Sequence, residues 1–228
     1  MCGRYQFDFS NKDKFKARYH IDGRFPLSDI KTRYNISPGQ KNPVVVSHSP
    51  NSVDLMLWGI IPFWEEKKEK PHGLINVKSE SAISKGWAKK WIQFQRCLVP
   101  ASGFYEWKKT TDGKVPFRIF AKGKDYISFA GLYSSYKHPG SGEEIYTYTI
   151  LTTEPNEFMK PIHHRMPVIL TKAEEEKWLN PDTVEIEHLK DLLHPFSGKL
   201  EAYPITTRVN SPIYDDKEVI KPVNQVEN

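Results

Sequence analysis

The 228-residue chain has very little cysteine, with only Cys2 and Cys97. Two thiols make no disulfide framework, so a reducing compartment is the default. No apolar run reaches the roughly 18 residues a membrane-spanning helix needs, and the N-terminus has no apolar leader core, so a cytoplasmic protein that does not cross a membrane is expected. Neither Cys-x-x-Cys nor His-x-x-x-His spacing occurs, so no bound metal is expected. There is no glycine-rich phosphate loop, and no cofactor is expected. Low-complexity stretches, internal repeats and composition breaks are also missing, so residues 1–228 read as one domain, with 211–228 as a C-terminal tail.

Aromatic residues are plentiful, at 13% of the chain, beside 27% charged and 38% hydrophobic residues. That composition folds around a real core. The formal net charge of +5 permits a polyanionic partner without pointing to one. Ser10–Tyr19 reads as a short helix capped by Ser10, with Phe15 and Tyr19 on one face. Pro43–His48 and Leu55–Ile61 read as strands. Glu65–Lys70 is a charge run expected to be a solvated loop. Glu80–Ile92 reads as a helix weakened by Gly86, with Trp87 and Trp91 one turn apart. Further strands are expected over Cys97–Val99, Val115–Ala121, Tyr126–Tyr133, Tyr146–Leu151 and Val168–Leu170. Asp112-Gly113 is a hairpin turn signal. Thr171-Lys172-Ala173-Glu174 matches a capping box and starts a helix running to about Leu179. The pattern is α+β: a mainly antiparallel, barrel-like sheet core flanked by short helices.

The chain opens Met1-Cys2-Gly3. Removal of the initiator methionine would leave an α-amine and a thiol on one residue. An α-amine has a pKa of about 7.7–8.0, so part of it is neutral near pH 7 and can attack an aldehyde. The thiol can then close a five-membered thiazolidine.

Four further segments are distinctive: Asn35-Ile36-Ser37-Pro38-Gly39-Gln40; Trp58 to Trp64 leading to Asn76-Val77-Lys78-Ser79-Glu80; Arg96 to Trp107, containing Gly103-Phe104-Tyr105-Glu106-Trp107; and Thr152 to Asn156 followed by His163-His164-Arg165-Met166-Pro167. With Cys2 at the start, these segments in this order resemble the SRAP family, the SOS-response-associated peptidases understood as abasic-site sensors. The resemblance runs from Cys2 to about Asn210. It implies that Cys2 captures the ring-opened aldehyde of an abasic site in single-stranded DNA as a thiazolidine crosslink, shielding the lesion during the DNA damage response, with a lyase reaction as a possible by-product. It assigns Asn76, Glu106 and His163 as catalytic partners of Cys2. Arg4, Lys78, Ser79, Thr152 and Arg165 are expected at DNA phosphates or sugars, and Pro38, Trp64 and Trp107 as platforms beside bases. Trp58 and Trp91 read as core. Lys78 departs from the family's arginine, keeping charge but losing the bidentate fork.

A carboxylate and an imidazole suit the proton transfers of imine formation, and burial between Tyr105 and Trp107 would raise the Glu106 pKa. His163 and His164 would point apart in a strand. The resemblance implies a monomeric, DNA-associated protein whose partner is single-stranded DNA containing abasic sites. Two other functions stay open: a cysteine peptidase using Cys2 and His163, with Met1-Cys2 as its own substrate, and a non-catalytic DNA-binding module.

Overall fold

Residues 2–21, 27–47, 52–68, 72–84 and 86–223 are described here, from a computed structural model. Near the N-terminus, β1 (Tyr5–Phe7) is followed by α1 (Lys12–Tyr19), then by β2 (Arg33–Ile36), β3 (Lys41–Val46), β4 (Val53–Trp58) and β5 (Asn76–Lys78). Two short helices come next, α2 (Ser79–Ser84) and α3 (Gly86–Phe94). The long strands are β6 (Arg96–Ala101), β7 (Gly103–Thr110), β8 (Gly113–Ala121), β9 (Ile127–Lys137) and β10 (Glu144–Thr153). The C-terminal part holds β11 (Met166–Pro167), β12 (Ile169–Leu170), α4 (Lys172–Leu179), α5 (Ile186–Lys190) and β13 (Leu200–Pro204).

Five strands close into a ring. β9 pairs with β6 on one edge and β10 on the other; β10 pairs with β4, β4 with β3, and β3 with β6. Closure leaves none of the five strands as an open edge. Most pairings are antiparallel, but β10 runs parallel to both β4 and β5. A second sheet has the order β13-β8-β7-β1-β2. Tyr5 joins the two: its ring meets Trp58 and Phe129 edge-on at 5.2 and 6.0 Å, and its hydroxyl lies 2.8 Å from that of Tyr148. All four aromatics are buried. This is an α+β fold dominated by strands.

The connection from β4 to β5 depends on a close backbone crossing. A Cβ on Gly73 would stand 2.6 Å from the Gly59 carbonyl oxygen, so only glycine lets Ile60 bridge Leu74 and deliver Asn76 into the sheet.

Several expected boundaries move. Asn11, not Ser10, caps α1: its Oδ1 accepts from Lys14 N at 2.9 Å, while Ser10 lies outside the helix. The strand expected from Pro43 begins at Lys41, and His48 lies outside the described residues. Glu65 is not part of a solvated run; it is buried and accepts from Lys68 Nζ at 2.7 Å and His72 N at 3.1 Å. Glu69 and Lys70 lie outside the described residues. The expected Glu80–Ile92 helix is two helices, and Gly86 starts the second. The segment 211–223 is folded against the body rather than hanging as a tail. Asn35 Nδ2 donates to the carbonyls of Ser211 and Tyr214, and Val219 is buried. The Thr171 capping box forms as expected and starts α4.

Candidate active site

The N-terminal segment reaches the site because β1 is inserted between β7 and β2, with Tyr5 opposite Phe104 on one side and Ile36 on the other. Tyr105 N donates to Arg4 O at 3.0 Å, which fixes Cys2 and Gly3 alongside the next residue of β7, Glu106. Cys2 is fully buried, and its thiol donates to Arg4 O at 3.6 Å. Asn76 comes from the other sheet, on β5 beside Ile150 of β10. Its Nδ2 donates to Cys2 O at 2.8 Å, tying the N-terminus to the ring of strands. The Asn76 Oδ1 is buried and has no hydrogen-bond partner among the described residues, so it is an acceptor without a donor.

His163 sits in the loop between β10 and β11. Asn156 shapes that loop, accepting from Met159 N at 3.0 Å and donating to Phe196 O at 2.9 Å. His163 Nδ1 lies 3.0 Å from Arg165 O, 3.1 Å from Arg165 N and 3.8 Å from Glu106 Oε1. His163 and His164 do not point apart. They occupy a turn rather than a strand, and their rings lie 4.3 Å apart at 32°.

Cys2, Asn76, Glu106 and His163 thus form one linked set built from four parts of the chain. Burial sets its electrostatics. Glu106 is 2% exposed, and desolvation raises its carboxyl to about 7. Desolvation also pushes the Cys2 thiol well up, and the charge of Glu106 adds to that. It lowers His163, which is less buried, with smaller downward contributions from His164 and Lys114. A carboxyl raised to about 7 can hold or release a proton near neutral pH, and the lowered imidazole favours its neutral form.

The residues expected at DNA fall into two groups. Pro38, Trp64 and Lys78 are exposed, and Trp107 is half-buried with its Nε1 donating to Asn210 Oδ1 at 2.7 Å. Thr152 and Ser79, by contrast, are buried, so their side chains present no surface in this conformation. The Thr152 carbonyl instead accepts from Arg165 Nη2 at 2.5 Å. Arg165 also forks onto Glu80, at 2.8 and 2.9 Å. Arg4 donates to Asn35 Oδ1, Val209 O and Asn210 O at 2.8, 2.7 and 3.0 Å. Both arginines therefore brace the walls of the site. The sequence reading did not assign roles to Glu80 or Asn35, although both lie inside the distinctive segments. Asp215 lies outside those segments and carried no signal. Among the described residues no group of three or more His, Cys, Asp or Glu side chains could hold a metal.

A closed strand ring with a second sheet, holding the buried Cys2 beside an amide and a carboxyl, with an imidazole next to that carboxyl, defines a small β-rich protein built around a thiol near its N-terminus. The chain belongs to the SOS response associated peptidase (SRAP) family, whose family model matches residues 1–212. It is 38% identical over 224 residues to the abasic site processing protein YoqW of Bacillus subtilis, covering 97% of this chain and 99% of that one. It is 31% identical over 222 residues to the abasic site processing protein HMCES of Gallus gallus, covering 83% of this chain and 66% of the chicken protein. Among solved structures, a protein from Bacteroides thetaiotaomicron superposes with a TM-score of 0.83 at 29% identity, covering 96% of this chain and all of that one.

Proposed function

We propose that this protein processes abasic sites by covalent capture in single-stranded DNA. After loss of Met1, the α-amine of Cys2 attacks the ring-opened aldehyde of the abasic sugar. Water leaves and an imine forms. The thiol then adds across the C=N bond, passes its proton to nitrogen and closes a thiazolidine, with no further loss of mass. Glu106 takes the proton from the amine and relays it at ring closure. His163 protonates the sugar oxygen as the ring opens. Asn76 holds the Cys2 carbonyl through its Nδ2, and its Oδ1 accepts a hydrogen bond from the incoming sugar.

The observation that carries this reading is the convergence of Asn76 and Glu106 on Cys2, with His163 3.8 Å from Glu106. The relatives named for abasic-site processing support it. The imine can also lose a C2′ proton and break the strand, so lyase cleavage competes with ring closure.

Intact-mass measurement after incubation with a single-stranded oligonucleotide bearing one abasic site tests the proposal. The expected product equals protein plus oligonucleotide minus one water. Protein that retains Met1 should give none, and Cys2→Ser should give an adduct only after borohydride trapping. A heat-stable adduct from Cys2→Ser without reductant would overturn the thiazolidine step.

A further inference from the structure

A cleft of about 510 Å³ is bounded by Glu106, Trp107 and His163 and by residues near the end of the β7–β8 hairpin. Its walls include Lys109, Lys114 and Lys160, and among the described residues its one carboxyl is Glu106. All three lysines are exposed. Lys160 pairs with Glu157, whereas neither Lys109 nor Lys114 makes an ion pair among the described residues. Lys109 and Lys114 are also direct cross-strand partners in the antiparallel hairpin. Like charges directly opposite one another destabilise a strand pair. The hairpin therefore holds two ammonium groups together at a cost to its own stability, and a third lysine joins them from the β10–β11 loop. The Lys114 charge is also felt at His163.

We infer that Lys109, Lys114 and Lys160 form a phosphate subsite that grips the backbone phosphodiester next to the abasic sugar and seats that sugar against Glu106 and His163. The inference rests on the abasic-site reading and adds to it. Anion binding by clustered lysines needs no special loop, because ammonium groups act as mobile point charges on a polyanion. A phosphodiester seated here would relieve the repulsion between Lys109 and Lys114, so the hairpin gains stability on binding.

The test pairs lysine variants with chemically neutralised phosphates. Oligonucleotides carry one abasic site and a single methylphosphonate immediately 5′ or 3′ to it. Crosslinking rates at limiting protein are compared for the full chain and for the triple variant Lys109→Gln, Lys114→Gln, Lys160→Gln. The wild type should be slowed by one of the two methylphosphonates. The glutamine variant should be slow already and indifferent to that substitution. Its log–log salt dependence should be flatter by about 0.7 for the one lost phosphate contact. The triple lysine-to-arginine variant should restore both responses, which a purely structural role would not produce. Equal sensitivity of the wild type and the glutamine variant to each methylphosphonate would overturn the subsite. So would an unchanged salt slope. Failure of the wild type to form any adduct with unmodified abasic DNA would instead overturn the functional reading, and the salt slope for undamaged single strands would still test the lysines.

Discussion

Glu106 shows how a single residue couples fold and chemistry. Its carboxyl rises from an ordinary 4.5 to about 7 because β7 carries it into the interior. For a group acting as a base, activity follows the ionised fraction, so the capture rate should climb with pH through about 7. Glu106→Gln should lose that step, keep the later rise from the α-amine, and run roughly 10²–10⁴-fold slower, as expected on removing a general acid or base. Stability should move the opposite way. Between pH 4.5 and about 7 the folded state holds a proton that the unfolded chain has released, so stability falls as pH rises through this window and levels off above it. At about 1.4 kcal/mol per pH unit the full penalty is roughly 3 kcal/mol. Urea titrations should therefore show Glu106→Gln to be the more stable protein at pH 8, with the gap closing towards pH 4.5. A constant gap across that range would show that Glu106 is not the group responsible. Asn76, Glu106 and His163 are expected only through the family resemblance of the segments that hold them; taken singly, each residue reads equally as a surface, cap or structural group. What the sequence could not show is how closely they meet, since each comes from a different part of the chain.

Among the secondary-structure elements, local signals were legible and borrowed ones were not. The Thr171 cap and its reciprocal Glu174 bond lie within four residues of sequence, and both form. The hairpin at Gly113 is also local: its φ of +133° is one that glycine accepts readily. The strand β7 was missed because Lys108, Lys109 and Thr110 continue it into solvent, where no hydrophobic alternation marks it. Arg96 is another case. It is fully buried, and its guanidinium donates to Ile92 O at 2.9 Å, to Gln93 O, to Trp178 O at 2.6 Å and to Asn180 O at 2.6 Å. Those carbonyls belong to the C-terminal ends of α3 and α4, whose last turns leave carbonyls without intrahelical donors; Asn180 O also accepts from Thr183 N at 3.2 Å. One side chain therefore caps two helices from different halves of the sequence, which no local pattern reveals. Leaving a buried carbonyl unsatisfied costs about 1–3 kcal/mol. Arg96→Ala should accordingly lower stability by at least about 2 kcal/mol, and Arg96→Lys should recover only part of it, because a lysine has three donors and no planar fork. A melting temperature unchanged in Arg96→Ala would show that water caps these helix ends equally well.

For the whole molecule, the segment after the family match reaches back to the candidate site. Asp215 lies beyond residue 212, where that match ends. Its Oδ1 accepts from Tyr34 N at 2.6 Å and Asn35 N at 2.8 Å, and its other oxygen pairs with Arg33. These contacts hold β2, which pairs with β1, and β1 leads directly from Cys2. Val209 and Asn210, just before this segment, hold the Arg4 guanidinium. A charged, partly buried acceptor of this kind contributes about 1.5–3 kcal/mol per bond. Asp215→Ala should therefore destabilise the protein by about 2 kcal/mol or more. Asp215→Asn separates the contributions: its amide oxygen still serves the two backbone donors, while its NH₂ faces the Arg33 donor and loses that pair. Asparagine should thus recover most of the stability if the backbone bonds dominate. Both variants keep the exposed residues proposed to meet DNA, so single-strand affinity should change little. Capture should slow in Asp215→Ala even well below its melting temperature, because β2 no longer fixes β1 and the position of Cys2. Unchanged capture kinetics in a measurably destabilised Asp215→Ala protein would show that the segment supports the fold without setting the geometry of the N-terminus.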